Sequence, residues 1–289
     1  MDRKTLSTMA GPYIAVFDSG VGGLTVLAEL RKTFPKHSFL YLGDTARVPY
    51  GTKSPTMVIR YALESAWFLS RYPLDCLVIG CNTVSAVAIT ALKGAYPDLP
   101  ILEVINPGAQ AAVEATQNKR ILVLGTEGTI ASRAYQKAIH SLDAEIEVFG
   151  IACNLFVPLA EEGILDGPIC KMIAQEYLKE ALKKDVDTIV LGCTHYPLLR
   201  KVIQEVAGEN IQIVDSAIPL AKKLKTSFKL SDQEKPRLRI FTTDIPTRFM
   251  KIASLFLEEN IEEPTHIDLE AMFYATEQRR EIQSPKTPK

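Results

Sequence analysis

Two segments of the chain share one form. Val78-Ile79-Gly80-Cys81-Asn82-Thr83 and Val190-Leu191-Gly192-Cys193-Thr194-His195 each pass from an apolar run through glycine to cysteine, then to small polar side chains. A thiol in that place can take or give a proton, or act as a nucleophile. Where the amides after it open a helix, they lower the thiol pKa from its ordinary value of about 8.5 and offer N–H groups to an anion. The ordinary role of a cysteine at a strand end is that of a small buried hydrophobe. That is the expectation for Cys76, Cys153 and Cys170. Cys81 and Cys193 are set apart by the glycine before them and the side-chain donors after them. His195 stands two residues beyond Cys193, where an imidazole can orient or deprotonate the thiol. His37, His140 and His266 have no such neighbour and are assigned no role.

Three further segments carry polar groups at strand ends. Asp18-Ser19-Gly20-Val21-Gly22-Gly23 is either a glycine-rich turn with a helix cap or a cradle of free amides for a carboxylate or phosphate. It matches neither the dinucleotide fingerprint nor the phosphate loop ending in Gly-Lys-Ser/Thr, so nucleotide binding has little support. Gly43 to Gly51 brings Asp44, Val48, Pro49 and Tyr50, a surface turn or part of a substrate wall. Gly125-Thr126-Glu127-Gly128-Thr129 offers hydroxyls and amides at another helix start.

The elements that must position these groups follow from apolar patterning. Short continuous runs recur at Ile14–Phe17, Phe39–Leu42, Cys76–Ile79, Ile101–Val104, Arg120–Leu124, Glu147–Gly150, Thr188–Leu191, Ile211–Val214 and Leu238–Thr242. Continuous rather than alternating runs are the mark of strands buried on both faces of a parallel sheet. Helical spacing fills the gaps at Leu24–Arg31, Met57–Tyr72, Ala109–Thr116, Ser132–Leu142, Pro168–Lys183 and Pro197–Glu205. This alternation predicts an α/β fold with mainly parallel sheets. In such sheets ligands sit at the carboxyl ends of the strands, where both Gly-Cys segments fall. Two similar α/β units, each offering one cysteine, is the simplest arrangement. Ile105-Asn106-Pro107 and Val214-Asp215-Ser216 are candidate hinges between them.

Composition narrows the class. The chain has 289 residues, 33 basic and 34 acidic side chains, and a formal charge of −1. That length makes one large domain or two smaller ones. The charge balance argues against bulk affinity for nucleic acid or an anionic membrane and leaves only a local patch. Five cysteines, an odd number in a chain too large to need staples, fit free thiols in a reducing compartment. The polar first twelve residues are not a secretory leader, and no apolar stretch is long enough to span a bilayer, so a cytoplasmic protein is expected. The segment from Glu270 to Lys289 is expected to be a helix remnant that frays.

Taken in order, these motifs resemble the glutamate racemases, cofactor-independent enzymes of bacterial cell-wall synthesis. The resemblance spans Ile14 to Leu269. It rests on Phe17-Asp18-Ser19-Gly20-Val21-Gly22-Gly23-Leu24, Gly43-Asp44 with Val48-Pro49-Tyr50-Gly51, Gly125-Thr126 with Gly128-Thr129, and Gly80-Cys81-Asn82-Thr83 with Gly192-Cys193-Thr194-His195-Tyr196-Pro197. It implies two pseudo-symmetric α/β domains with the active site in the cleft between them. The first is discontinuous, 13–105 plus 215–269; the second is 106–214; 270–289 is a tail. Cys81 would take the α-proton from D-glutamate and Cys193 from L-glutamate, with Asp18 assisting Cys81 and His195 assisting Cys193. An acidic role falls on Glu161, next to Glu162. Asp18, Ser19, Tyr50, Gly51, Asn82, Thr83, Thr126, Thr194 and His195 would hold glutamate through neutral donors and helix ends. The resemblance implies no cofactor and no metal, no nucleic-acid or membrane partner, a possible homodimer, and a product, D-glutamate, destined for peptidoglycan. No lysine has a recognisable pyridoxal-phosphate context, which agrees. The competing readings are an aspartate racemase or related two-cysteine isomerase, a metal site formed by Cys81, Cys193, His195 and Asp18, and a non-catalytic protein of the same fold. The metal reading lacks paired-ligand spacing.

Overall fold

The computed structural model describes residues 12–230, 232–257 and 261–283. Its strands form two sheets, both wholly parallel in their pairings. The first has the order β10-β9-β2-β1-β3-β4, built from β1 (Tyr13–Asp18), β2 (Ser38–Gly43), β3 (Leu74–Ile79), β4 (Ile101–Glu103), β9 (Leu238–Thr242) and β10 (Thr265–His266). The second has the order β6-β5-β7-β8, from β5 (Arg120–Gly125), β6 (Glu147–Ala152), β7 (Thr188–Gly192) and β8 (Gln212–Val214). Every run expected to be a strand is one, within a residue or two at its ends. The two-residue β10 is too short to show in apolar patterning.

The reason the runs are continuous is visible in the packing. Tyr13, Ala15 and Phe17 of β1 enter one apolar cluster, and Ile14 and Val16 enter the cluster on the opposite face. Leu122 and Leu124 of β5 are likewise divided from Ile121 and Val123. Both faces are covered, so no strand position can be polar without cost. On the first sheet, α1 (Leu24–Thr33), α11 (Ala217–Ser227) and α12 (Pro246–Leu257) cover one face, and α2 (Pro55–Leu69) with α3 (Asn82–Val87) and α4 (Ile89–Ala95) cover the other. On the second sheet, α5 (Ile105–Ala115) and α7 (Ala134–Leu142) lie opposite α8 (Phe156–Glu161), α9 (Gly167–Leu182) and α10 (Arg200–Ala207).

The structure adds detail to several expectations. Ile105-Asn106-Pro107, a candidate hinge, forms the first turn of α5, where the Glu103 carboxylate accepts from Ile105 N and Asn106 N and so caps the helix. The helix expected at Ser132–Leu142 is α7, and a short separate helix, α6 (Glu127–Ser132), precedes it, the two divided at Arg133, which has φ 55°. The helix expected from Pro197 begins as a 3-10 turn over Tyr196–Leu199 before α10. The expected fraying tail forms α13 (Leu269–Gln283), and its start is docked on α2: the Phe273 ring meets Trp67 edge-on at 5.3 Å, and Arg60 bonds Tyr274 Oη. Residues 284–289, the end of that segment, lie outside the described residues.

Candidate active site between the two sheets

The carboxyl ends of strands from both sheets converge on one cavity of about 380 Å³. From the first sheet come Ser19 after β1, Pro49-Tyr50-Gly51 after β2, and Cys81-Asn82-Thr83 after β3. From the second come Thr126 after β5, Asn154 after β6, and Cys193-Thr194-His195 after β7. Glycine permits the approach at two points. A Cβ on Gly22 would stand 2.4 Å from Thr194 Oγ1 and 2.5 Å from His195 Nδ1. One on Gly51 would stand 2.6 Å from Thr126 Cβ.

The two thiols face unlike surroundings. Cys81 is the N-cap residue of α3 and its Sγ lies 3.3 Å from Ser19 Oγ. Burial pushes its pKa up to about 12, and the charge of Asp18 adds to the rise; Ser19 and the Val84 N–H only offset part of it. The expectation that a helix start would lower this pKa is therefore overturned: α3 is short, and loss of hydration outweighs its amide. Cys193 Sγ lies 3.8 Å from His195 Nδ1. The other ring nitrogen, Nε2, donates to Glu161 Oε1 at 3.0 Å, and Phe256 meets the ring edge-on. Burial alone would lower the His195 pKa, but the hydrogen bonds and negative charges of Cys193 and Glu161 outweigh it and push it up to about 10. For Glu161, burial raises the pKa while the His195 hydrogen bond and charge, then Arg248, bring it below the ordinary value. At neutral pH one wall thus holds a protonated thiol, and the other holds a cysteine beside an imidazolium.

Asp18 lies just behind the cavity rather than in its wall. It is fully buried, its Oδ1 accepts from Gly20 N at 2.8 Å, and its Oδ2 accepts from Thr194 Oγ1 at 3.3 Å. Burial raises its pKa against the lowering effect of His195. It thus joins the β1 turn to the residue between Cys193 and His195, and reaches Cys81 through charge. Thr83 Oγ1 and Thr126 Oγ1 are 2.9 Å apart and close the cavity between the sheets. Tyr50 Oη bonds Asp44 Oδ2, within a buried network in which Arg47 also reaches Asp44 and Glu64. Glu161 lines the cavity and Glu162 is exposed, which separates the adjacent acids. Sequence reasoning passed over Asn154 and Thr52, which also line the cavity. Asn154 follows β6, so the strand-end rule that picked out Cys81 and Cys193 applied to it as well. Among the described residues no lysine or arginine lines the cavity, and no group of three or more His, Cys, Asp and Glu is poised to hold a metal.

Two strand-end thiols on one cavity of an α/β protein are groups that could move protons at a carbon atom, the work of an isomerase. Residues 25–224 match the Asp/Glu/hydantoin racemase family, and the chain belongs to that family of amino-acid racemases. It is 46% identical over 263 residues to the glutamate racemase of Geobacter metallireducens, covering 89% of this chain and 97% of that one. Among solved structures, a glutamate racemase isoform of Bacillus anthracis superposes with a TM-score of 0.86 at 38% identity, covering 90% of this chain and 99% of that one. The glutamate racemase of Francisella tularensis, solved in complex with D-glutamate, superposes with a TM-score of 0.84 at 32% identity, covering 90% of this chain and 98% of that one.

Proposed function

We propose that the chain interconverts L- and D-glutamate without a cofactor, by transferring protons at the α-carbon from two sides. The observation that carries this is the presence of Cys81 and Cys193 on one cavity, each with its own partner. Racemisation needs a base on one face and an acid on the other, with roles exchanged in the reverse direction. With L-glutamate bound, the His195 imidazolium, held by Glu161, stands beside Cys193 and stabilises its thiolate. The Cys193 thiolate takes the α-proton, and the Cys81 thiol delivers its own proton to the opposite face. With D-glutamate the transfers reverse. Asp18 acts as the charge beside Cys81 and anchors Thr194. Ser19, Tyr50, Gly51, Asn82, Thr83, Thr126, Thr194 and His195 hold the carboxylates and the ammonium.

The carbanion that forms between the two transfers is stabilised by amides and hydroxyls fixed before substrate arrives. The named relatives support glutamate as substrate, with aspartate as the alternative. The same reading divides the chain into 13–105 with 215–269, and 106–214; the return of β9 to the side of β2 supports it. It also assigns the protein to the cytoplasm, as a homodimer supplying D-glutamate for peptidoglycan. Circular dichroism of each enantiomer in deuterated water, with α-deuteration read by mass, tests the activity. The expected result is decay of both signals with deuterium at the α-carbon, lost in Cys81→Ala and in Cys193→Ala. Full racemisation by either variant, or faster turnover of aspartate, refutes the assignment.

A further inference from the structure

The Asn82 side chain has its two polar ends in different situations. Its Oδ1 accepts a 2.7 Å hydrogen bond from Tyr135 Oη. Its Nδ2 is buried without a protein partner, in a residue that lines the cavity. An amide can present either end with little change of shape, so its hydrogen-bond network decides which faces a ligand. Tyr135 is itself buried, on α7. Its phenol proton is directed at Asn82, with Ser216 packed beside it. Burial, with the nearby carboxylates of Glu103 and Asp215, raises the Tyr135 pKa and keeps that proton in place. Gly108 provides the room, since a Cβ there would stand 3.1 Å from Tyr135 Oη and 3.3 Å from Ser216 Cβ.

We propose that Tyr135 is a positioning residue for substrate binding: it donates to Asn82 Oδ1 and so turns the Asn82 amide to offer N–H rather than C=O to a substrate carboxylate. This rests on the glutamate racemase reading. A carbonyl facing a carboxylate would repel it, so the direction of one phenol proton sets the polarity of that wall. These contacts also join separate parts of the fold. Asn82 opens α3 beside the first sheet, Tyr135 packs against the second, and Ser216 stands between β8 and α11. The amide is therefore set only when the two sheets hold this relation.

A double-mutant cycle on the full chain tests the proposal, with binding read by calorimetry. The probe is racemic glutamate, whose composition turnover does not change. Tyr135→Phe is expected to weaken binding about 10- to 100-fold, the range for a lost hydrogen bond to a charged group. In an Asn82→Ala background the same change is expected to be silent. Equal weakening in both backgrounds marks a merely structural role and overturns the proposal, as does unchanged binding by Tyr135→Phe. Where Tyr135→Phe fails to fold, Gly108→Ala, which presses on the phenol, is read by the same criteria. A wild-type chain that neither binds nor racemises glutamate refutes the activity itself, and the proposal with it.

Discussion

Replacing Glu161 with glutamine removes the charge that holds His195 as an imidazolium and keeps a group of the same size. The rise of the His195 pKa from 6.5 to about 10 amounts to roughly 5 kcal/mol in favour of the charged ring, at about 1.36 kcal/mol per pKa unit. Cys193 and Glu161 supply it together, against the opposing effect of burial. A charge-assisted hydrogen bond contributes about 1.5–3 kcal/mol, and the Glu161 side chain is 21% exposed, which favours the lower half of that range. Glu161→Gln should therefore lower the His195 pKa by about 1–2 pKa units. The assay is NMR titration of ring-labelled histidine, with four resonances to assign. In the wild-type protein one resonance, removed by His195→Gln, should titrate near 10. The sign for stability follows. A folded pKa above the unfolded value gives a contribution that is complete below about 6.5 and is lost as pH rises towards about 10. The wild type should then lose more stability than Glu161→Gln across that window in denaturant titrations. The reasoning is refuted if all four histidines titrate below pH 8 in the wild type, by an order-of-magnitude reading, or if the His195 resonance is indifferent to Glu161→Gln.

Other outcomes follow from the same geometry. Cys76 and Cys81 have pKa values raised to about 12 by burial, so neither should be alkylated by iodoacetamide at neutral pH in the folded protein; peptide mass spectrometry checks this, and rapid labelling of Cys81 would contradict its closed setting. In Gly22→Ala the new Cβ would fall 2.4 Å from Thr194 Oγ1 and 2.5 Å from His195 Nδ1. Its kcat should drop by about 100-fold, the cost of misplacing a reacting group by about 1 Å, and unchanged kinetics would show that the sheets are not held so close. Arg47→Met would leave the buried Asp44 and Glu64 carboxylates without that cation, and should destabilise the chain by about 3–5 kcal/mol, read by urea unfolding; a neutral effect would mean that the network is not buried in solution.

Much of this site was legible because strand-end chemistry follows chain order. Gly-Cys at the ends of β3 and β7 marked both thiols, and the turn after β1 marked Ser19, because a parallel sheet sends the carboxyl ends of its strands to one side. The spacing of Cys193 and His195 was local enough for their pairing to be read directly. The choice between Glu161 and Glu162 was not. They are adjacent in sequence, and the end of a short helix sends one to His195 and the other to solvent. Tyr135 and Asn154 were also missed. Nothing in AYQKAIHSL distinguishes a phenol that reaches Asn82 from one that merely packs in an apolar cluster.

By itself the sequence determined the strands, their burial on both faces, the parallel α/β class and the identity of the two thiols, because these depend on composition over a few consecutive residues. Tertiary structure decided the rest. The return of β9 to β2, the contact of Gly22 with Thr194 and of Gly51 with Thr126, and the crossing from Tyr135 to Asn82 join residues far apart in the chain. So do the proton affinities. The same Gly-Cys pattern yields a thiol with its pKa raised to about 12 at Cys81 and a cysteine beside an imidazolium at Cys193. Hydration and neighbouring charge set those states, and both are properties of the packed molecule.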